Sequence, residues 1–309
     1  MTAVRRLRAG VGLVVGALAL AGLSGCSGQE TASAGGAGGP DWSAVARALG
    51  REGKLQDGGV YRVGFPRGDL SIRSRGVRVE PAFALGSYVA FAPAGEDSAT
   101  MMGDLVLTED ELNAVISRLQ GGDVDVTAVH KHLYQQHPPV WWTHVHAEGD
   151  PVAIATAVRA ALQLTGTPLG QPPAPTPQPI DLDTGRLDAI LDAHGTADAG
   201  VWKYTFPRAE AIREHGMVLP AALGLTTALN FQPTGGGRAT VNGDFVMTAD
   251  EVQPVIAALR AHDIGIVELH QHGLREEPRL FYMHFWANAD AQRLARGLAA
   301  AVEHTNVKR

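Results

Sequence analysis

The chain contains one long stretch twice: GDLVLTEDELNAVISRLQGGDVDVTAVHKHLYQQHPPVWWTHVHAEGD at residues 103–150 and GDFVMTADEVQPVIAALRAHDIGIVELHQHGLREEPRLFYMHFWANAD at residues 243–290. The copies align without a gap at a constant offset of 140, and 16 of the 48 positions are identical. A period this long indicates two duplicated domains rather than a solenoid of short units. The duplication therefore decides the architecture.

The identical positions include polar residues as well as apolar ones. Each copy keeps a Gly-Asp pair, an Asp-Glu pair, a final Asp and three histidines. The identities that are not apolar include Gly103/Gly243, Asp104/Asp244, Asp110/Asp250, Glu111/Glu251, Asp150/Asp290, His130/His270, His132/His272 and His144/His284. Both copies thus retain a His-x-His sequence followed by a third histidine, although most other positions have diverged.

The pattern within each copy predicts several strands, then a helix, two strands and a final helix. Thr108 with Glu111, and Thr248 with Glu251, have the spacing of a capping box at a helix start. In the first copy, the predicted helices are residues 42–49, a helix from the first capping box to about residue 120, and residues 151–164. In the second copy, they are residues 186–193, a helix from the second capping box to about residue 262, and residues 291–303. Asp150 and Asp290 are expected to be N-caps of the final helices. This order predicts an α+β class, with an antiparallel or mixed sheet covered by helices in each domain.

Composition divides the chain into five parts. Residues 166–179 contain six prolines in fourteen positions, which predicts an extended spacer between the copies. The predicted parts are a signal peptide at 1–25, a lipidated cysteine with a flexible tether at 26–40, repeat domain one at 41–165, the linker at 166–179, and repeat domain two at 180–309.

The N-terminal sequence is typical of an exported lipoprotein. Arg5, Arg6 and Arg8 precede an apolar stretch at 11–23, which is short for a membrane span and suits a secretory signal. The Leu-Ser-Gly-Cys sequence that ends at Cys26 then has the pattern of a lipidation and cleavage site. We therefore expect a protein anchored through lipid on Cys26 to the cell membrane, on its extracytoplasmic side, with the membrane as its first partner.

Charge and cysteine content exclude two further classes. The formal net charge is −6 with both signs mixed along the chain, which argues against a nucleic-acid partner. Because the chain has a single cysteine, no disulfide can form within a monomer, even in an oxidising compartment. Stability is expected to come from packing.

The repeated histidines are candidate metal ligands. Strand alternation places His130 and His132 on one face, and a hairpin that pairs His130 with His144 would place His132 opposite Trp142. The same register in the second copy pairs His270 with His284 and His272 with Tyr282. Three imidazoles on one face can hold a divalent ion such as zinc and leave a position for water. The sequence therefore predicts a metal site from His130, His132 and His144, and from His270, His272 and His284, as one site per copy or as a shared site.

Other functions remain open for the same residues. The histidines can form a hydrogen-bonded polar core or a pocket for a non-metal envelope ligand or partner, or act in acid–base catalysis without metal. A metal-dependent hydrolase is less favoured, because no Glu is repeated beside the triads where a general base would lie. No catalytic residue is assigned, and the balance is against an enzyme. His137 and His146 have no equivalent in the second copy and are treated as peripheral. Four others are expected at the surface, namely His194, His215, His262 and His304.

A repeated Phe-Pro-Arg sequence ends an early strand in each copy. Arg67 and Arg208 could contact an anionic group of a ligand, because guanidinium binds carboxylate and phosphate in a two-pronged geometry. An ion pair of each arginine with Asp104 or Asp244 is the alternative expectation.

Several strings resemble the LppY/LpqO family of bacterial lipoproteins. They are GDLVLTEDELNAVISRL, VTAVHKHL, THVHAEGDP, NFQPTGGG, GDFVMTADEVQPVI, ELHQHG and EEPRLFYMHFWANADAQRLARGL, and the likeness extends over about residues 41–305. The resemblance implies two copies with a His-x-His and a later His in each, and an exported, often lipid-anchored protein. It implies no activity. The family pattern has Asn between the paired histidines, where this chain has Lys131 and Gln271, so the middle residue is not expected to be essential.

Overall fold

The computed structural model of the protein describes residues 39–172 and 177–309. The predicted signal peptide, the lipidation site at Cys26, most of the tether and part of the proline-rich linker lie outside these residues. The boundaries predicted there stay predictions. Both repeats belong to one compact unit.

The first repeat forms a six-stranded sheet with helices. Its helices are α1 (Trp42–Leu49), α2 (Pro81–Ala84), α3 (Glu109–Gln120) and α4 (Pro151–Leu162). Its strands are β1 (Lys54–Leu55), β2 (Tyr61–Pro66), β3 (Arg73–Ser74), β4 (Val77–Arg78), β5 (Gly86–Pro93), β6 (Ala99–Thr108), β7 (Asp125–His130), β8 (Gln136–His137) and β9 (Val140–Gly149). The sheet has the order β1-β2-β5-β6-β9-β7, and its neighbouring strands are antiparallel.

The second repeat forms the same sheet. Its helices are α5 (Thr184–Leu191), α6 (Ala249–Ala261) and α7 (Ala291–Val302). Its strands are β10 (Thr196–Asp198), β11 (Val201–Pro207), β12 (Arg213–Glu214), β13 (Met217–Val218), β14 (Thr226–Gly235), β15 (Arg238–Met247), β16 (Gly265–His270) and β17 (Phe281–Asp290). The order β10-β11-β14-β15-β17-β16 matches that of the first sheet. The prediction of two duplicated α+β domains is confirmed.

The repeated polar residues at the helix starts act as predicted. Thr108 and Glu111 form a capping box at α3, and Thr248 and Glu251 form one at α6. The N-cap residue Asp150 accepts hydrogen bonds from two backbone N–H groups at the start of α4, and Asp290 accepts one at the start of α7. These contacts satisfy N–H groups that have no partner within a helix.

Each sheet has two buried faces with different neighbours. Strand residues such as Leu105 and Val145 face the helices, and they form one apolar core with Leu119 and Val158. Because side chains alternate along a strand, the even-numbered residues of β6 and β9 point to the opposite face. That face packs against the other repeat.

The contact between the repeats is apolar around its edges. One cluster joins Ala90 and Met102 of the first repeat to Leu223 and Tyr282 of the second. Another joins Trp142 and other residues of the first repeat to Val201 and Trp286 of the second. The repeated histidines lie between these clusters, on the inner faces of the two sheets. Among the described residues, no helix has both the length and the apolar character needed to cross a membrane.

Candidate metal centre between the repeats

The histidine hairpins have a register that differs from the predicted one. Ala128, not His130, is the Cα partner of His144, and His130 is paired with Trp142. A bulge in β7 between Val126 and Ala128 changes the pairing by one residue within the strand, and the pairing beyond it is displaced from the predicted one. The second repeat has the same displacement, with Glu268 opposite His284 and His270 opposite Tyr282, after a bulge between Ile266 and Glu268. The predicted register was therefore wrong by two residues in both copies.

The shift keeps the histidines on one face, because it moves the pairing by an even number of residues. The rings of His130 and His144 are stacked, with centroids 4.7 Å apart. His132 lies just past the end of β7, and its ring stacks on Trp142 at 4.4 Å. Its equivalent His272 stacks on Tyr282 at 3.3 Å. The aromatic neighbours predicted for these two histidines are present, as stacked rings rather than as backbone pairs.

All six repeated histidines form a single cluster, which we call the histidine centre. Rings from opposite repeats are closest: the centroids are 3.8 Å apart for His130 and His270, 3.7 Å for His132 and His284, and 3.6 Å for His144 and His272. These pairings are those that a two-fold relation between the repeats produces. The structure therefore brings the two triads together and does not separate them into one site per copy.

Two histidines have their orientation fixed by a backbone carbonyl. Nδ1 of His144 lies 3.2 Å from the carbonyl oxygen of Gly103, and Nδ1 of His284 lies 2.8 Å from that of Gly243. Since a carbonyl only accepts, each Nδ1 carries the hydrogen and each Nε2 presents its lone pair to the centre. Both Nε2 atoms are buried without a hydrogen-bond partner among the described residues.

The histidine centre favours neutral imidazole. Burial lowers the pKa of all six rings below the usual value, and for five of them neighbouring histidines lower it further. For His284 the nearby Asp244 opposes the effect of burial. Removing an imidazolium from water is costly, and neighbouring cations would repel one another. Neutral imidazole is the form that binds a metal ion.

Two aspartates border the centre, Asp104 buried and Asp244 partly buried, and the metal prediction did not include them. Asp104 Oδ2 is 3.4 Å from Nε2 of His132, and Asp244 Oδ2 is 3.2 Å from Nε2 of His272. Burial and the charge of Asp244 raise the pKa of Asp104 to about 8, and burial raises that of Asp244 to about 6. The signal in the sequence was the repeated Gly-Asp pair, which precedes the capping box by four residues in each copy.

Donor atoms of the centre form three overlapping groups, and within each group they lie within 4.8 Å of one another. One group belongs to the first repeat alone, and the other two combine both repeats. The groups are Asp104 with His130, His132 and His144; His130 with His270 and His284; and His144 with His270 and His272. Zinc at its usual distance of about 2.0–2.1 Å holds two nitrogens no more than about 4.2 Å apart, so the widest groups would contract by about 0.6 Å.

Each repeat holds the backbone of the other repeat's paired histidines. The side-chain amide of Asn242 donates to the carbonyl oxygen of His132 at 2.6 Å, and Thr127 Oγ1 donates to that of His272 at 2.5 Å. Lys131, between the first pair, donates its backbone N–H to Glu268 at 2.7 Å. The position of each His-x-His segment thus depends on the opposite repeat.

A cavity of about 590 Å³ connects the centre with the surface. Its inner wall includes Asp104, Asp244 and four of the six histidines, and exposed residues such as Gln56 and Thr205 line its mouth. This volume lies within the range of small-molecule sites, roughly 300–1,000 Å³.

The two repeated arginines lie elsewhere and are already paired. Arg67 is 1% exposed and contacts Asp69 and Glu111, each at 2.8 Å. Arg208 contacts Glu210 and Glu251 in the same way. The expected ion pairs with Asp104 and Asp244 were wrong, because the capping-box glutamates reach the arginines first. Both guanidinium groups are enclosed by protein carboxylates, which leaves no free edge for an anionic ligand.

The unrepeated histidines lie outside the histidine centre. His146 is buried and its Nε2 lies 3.0 Å from Glu214 of the other repeat, with Glu148 as a nearby third donor. His137 is exposed, as are three of the four histidines expected at the surface, His262 being partly buried. The equivalents of His146 and Glu214 are Trp286 and Ser74, so this contact occurs on one side of the molecule only.

Comparison with known proteins identifies the repeats. The family described as Domain of Unknown Function (DUF1259) matches residues 43–164 and 185–304, once per repeat. No curated protein matches the sequence.

Solved structures with partial similarity include three microcompartment shell proteins. The trimeric bacterial microcompartment shell protein PduB has 13% identity over 82% of this chain and 89% of its own, with a TM-score of 0.22. EtuB from Clostridium kluyveri has 11% identity over 81% of this chain and 88% of its own, with a TM-score of 0.20. The double-ringed trimeric shell protein MSM0271 from the RMM microcompartment has 14% identity over 68% of this chain and 84% of its own, with a TM-score of 0.19. TM-scores this low support no inference.

Proposed function

The chain belongs to the DUF1259 family, whose function is unknown, and we propose that it binds a divalent transition metal, with zinc as the first candidate, at the histidine centre. The observation that carries this proposal is a set of buried donor atoms without hydrogen-bond partners. Among the described residues, those that belong to the six histidines and two aspartates of the centre are Asp104 Oδ1, His130 Nδ1, His144 Nε2, Asp244 Oδ1, His270 Nδ1 and Nε2, His272 Nε2 and His284 Nε2.

Unsatisfied buried polar atoms are costly, which is why most proteins have few of them. Each costs about 1–3 kcal/mol when its partner is missing. Eight such atoms at one place form a pattern that packing alone does not favour, since apolar residues would fill the same space without this cost. A cation would satisfy several of them at once, because the donor atoms of each group lie within 4.8 Å of one another.

The chemistry of the donors favours a borderline metal ion. Neutral imidazole suits zinc, copper, iron and nickel, and a carboxylate oxygen such as that of Asp104 completes many such sites. The carbonyl contacts of His144 and His284 supply the outer hydrogen bonds that usually orient metal-binding histidines. The shared groups favour one centre for one or two ions, built from both repeats.

We place this centre outside the cytoplasm, on a protein anchored to the membrane by lipid. The lipidation sequence at Cys26 and the resemblance to LppY/LpqO lipoproteins support this location. The alternative function is a pocket for an envelope ligand without metal, and the 590 Å³ cavity favours it. A hydrolase is less favoured, because no Glu is repeated beside the two triads where a general base would lie.

Elemental analysis of the full chain, purified without a histidine tag, tests the proposal. We expect one or two equivalents of metal in the wild type, and loss of most of it in His270→Ala, because His270 contributes to two of the three donor groups. His137→Ala is the matched control, since His137 is exposed and lies outside the centre. Circular dichroism should show both variants folded.

Two results would contradict metal binding. The first is a wild type that contains no metal and takes up no zinc after treatment with a chelator. The second is a His270→Ala variant that is folded and retains as much metal as His137→Ala. A wild type without metal that binds a small molecule in the cavity would support the ligand-pocket alternative instead.

A further inference from the structure

The cavity that leads to the histidine centre carries one basic residue from each repeat. Arg62 on β2 and Lys203 on β11 both line it, and both are partly exposed. They occupy equivalent positions, because Arg62 follows Tyr61 in one copy as Lys203 follows Trp202 in the other. The duplicated sheets thus place two cations at the same approach to the centre.

Arg62 is available for a ligand. Its guanidinium lies over the ring of Tyr88, with Cζ 3.3 Å from the ring centroid. Within the described parts of the chain, no carboxylate is within ion-pair distance of Arg62. Stacking on an aromatic ring holds the guanidinium plane while its edges stay free to donate hydrogen bonds.

Lys203 is partly neutralised. Its Nζ forms an ion pair with Asp198 at 2.7 Å. The acidic residues that line the cavity are Asp57 at the mouth and Asp104 and Asp244 at the inner end. A bound divalent ion would add two positive charges at the inner end of the cavity, which offset the carboxylates of Asp104 and Asp244.

We propose that the cavity admits a small organic anion, whose carboxylate or phosphate group contacts Arg62 and Lys203 and reaches the metal at the histidine centre. This inference rests on the proposed metal function and names the class of ligand that the same site takes. A charged oxygen satisfies an open metal position and forms short, strong hydrogen bonds with guanidinium and ammonium groups.

The cavity walls are not equivalent, which gives the ligand one preferred orientation. Tyr88 in the first repeat corresponds to Ala228 in the second, so one wall carries a phenol where the other has a methyl group. The Tyr88 hydroxyl lies close to Gly224, where a β-carbon would be 2.8 Å from Oη and 4.0 Å from Nδ1 of His272. The phenol hydroxyl of Tyr88 can donate a hydrogen bond to the ligand. We expect the bulkier end of the ligand on the Ala228 side.

The test uses the full chain loaded with Co²⁺, whose visible absorption reports on metal ligands. Acetate and inorganic phosphate are added separately at constant ionic strength, so that the two arms distinguish a carboxylate from a phosphate ligand. We expect a saturable spectral change with at least one of them. Arg62→Gln and Lys203→Gln should each weaken anion binding about tenfold or more, and should leave binding of Co²⁺ alone unchanged. Arg118→Gln is the control, because Arg118 is exposed on α3 and does not line the cavity.

The outcomes separate the two proposals. A protein that binds Co²⁺ but shows no spectral change with either anion overturns the anion inference and leaves the metal function standing. Equal weakening by Arg118→Gln and Arg62→Gln also overturns it, because only screening of net charge would then be at work. A wild type that takes up no Co²⁺ overturns both.

Discussion

Replacing Asp104 by Asn should make the metal-free protein more stable at neutral pH while it removes a metal ligand. Asp104 is 5% exposed, and its pKa is raised from 3.8 to about 8 by burial and by Asp244. An unfolded chain ionises this group freely above pH 4, whereas the folded protein keeps it protonated or holds a poorly solvated carboxylate. Folding therefore carries a cost that Asn, with a neutral amide of the same shape, avoids.

The magnitude follows from proton linkage. Below pH 3.8 both states are protonated and the cost is absent; it grows as pH rises and is constant above pH 8. At pH 7 the interval above the unfolded pKa is 7 − 3.8 = 3.2 units, which at about 1.36 kcal/mol per unit gives about 4 kcal/mol. The histidines have lowered pKa values and reduce stability below about pH 6.5, but they do so equally in both proteins. The difference between the two proteins thus isolates Asp104.

The assay is urea unfolding of chelator-treated full-length protein at several pH values between 4 and 8. We expect Asp104→Asn to be more stable than the wild type by about 4 kcal/mol at pH 7 and by almost nothing at pH 4. Asp97→Asn, in an exposed turn, should differ from the wild type by less than about 0.5 kcal/mol. Equal stability of Asp104→Asn and wild type at pH 7, or a difference independent of pH, would refute the reasoning.

Three further predictions concern other parts of the chain. Gly243→Ala should be strongly destabilising and should reduce metal content, because a β-carbon there would overlap the carbonyl oxygen of Ala228 beside His284. Circular dichroism measures the stability and elemental analysis the metal content. A stable variant that retains its metal would contradict this prediction. Arg208→Met should cost about 3–5 kcal/mol in urea unfolding, since it leaves the partly buried carboxylates of Glu210 and Glu251 without their cation. A loss below about 1 kcal/mol would show that these carboxylates find other partners. Cys26→Ser should move the protein from the detergent phase to the aqueous phase in phase partitioning, and unchanged partitioning would show that the lipidation prediction is wrong.

Local features were predictable from the sequence, and features that depend on long-range contacts were not. The capping box of Thr108 and Glu111 could be predicted because its residues lie three positions apart. The shared face of His130 and His144 followed from strand alternation, but the pairing beyond the bulge beside Ala128 differs from the predicted one by two residues. No periodicity in a single strand reports such a bulge.

The sequence also did not decide whether the two histidine triads form one shared site or one site per copy, because this too depends on long-range contacts. It depends on how one sheet packs against the other, and the pattern within one copy contains no information about that contact. Asp104 was identified as a repeated residue but was assigned to Arg67, because the sequence does not show that Glu111 reaches that arginine. The capping-box pattern predicted that Glu111 accepts a hydrogen bond from the backbone of Thr108, but it did not predict that the same carboxylate also binds Arg67.

Each repeat donates a side-chain hydrogen bond to the backbone of the paired histidines of the other repeat. The molecule therefore resembles a symmetric dimer whose subunits are joined in one polypeptide. In a dimer of identical subunits, a substitution appears on both sides of the axis and must be tolerated twice. Covalent joining removes that constraint and keeps the partner at a high effective concentration. The two sides can then specialise separately, as His146 with Glu214 on one side and Trp286 with Ser74 on the other already show. It also follows that neither half alone could assemble the complete centre, whereas the two halves produced as separate chains should complement each other.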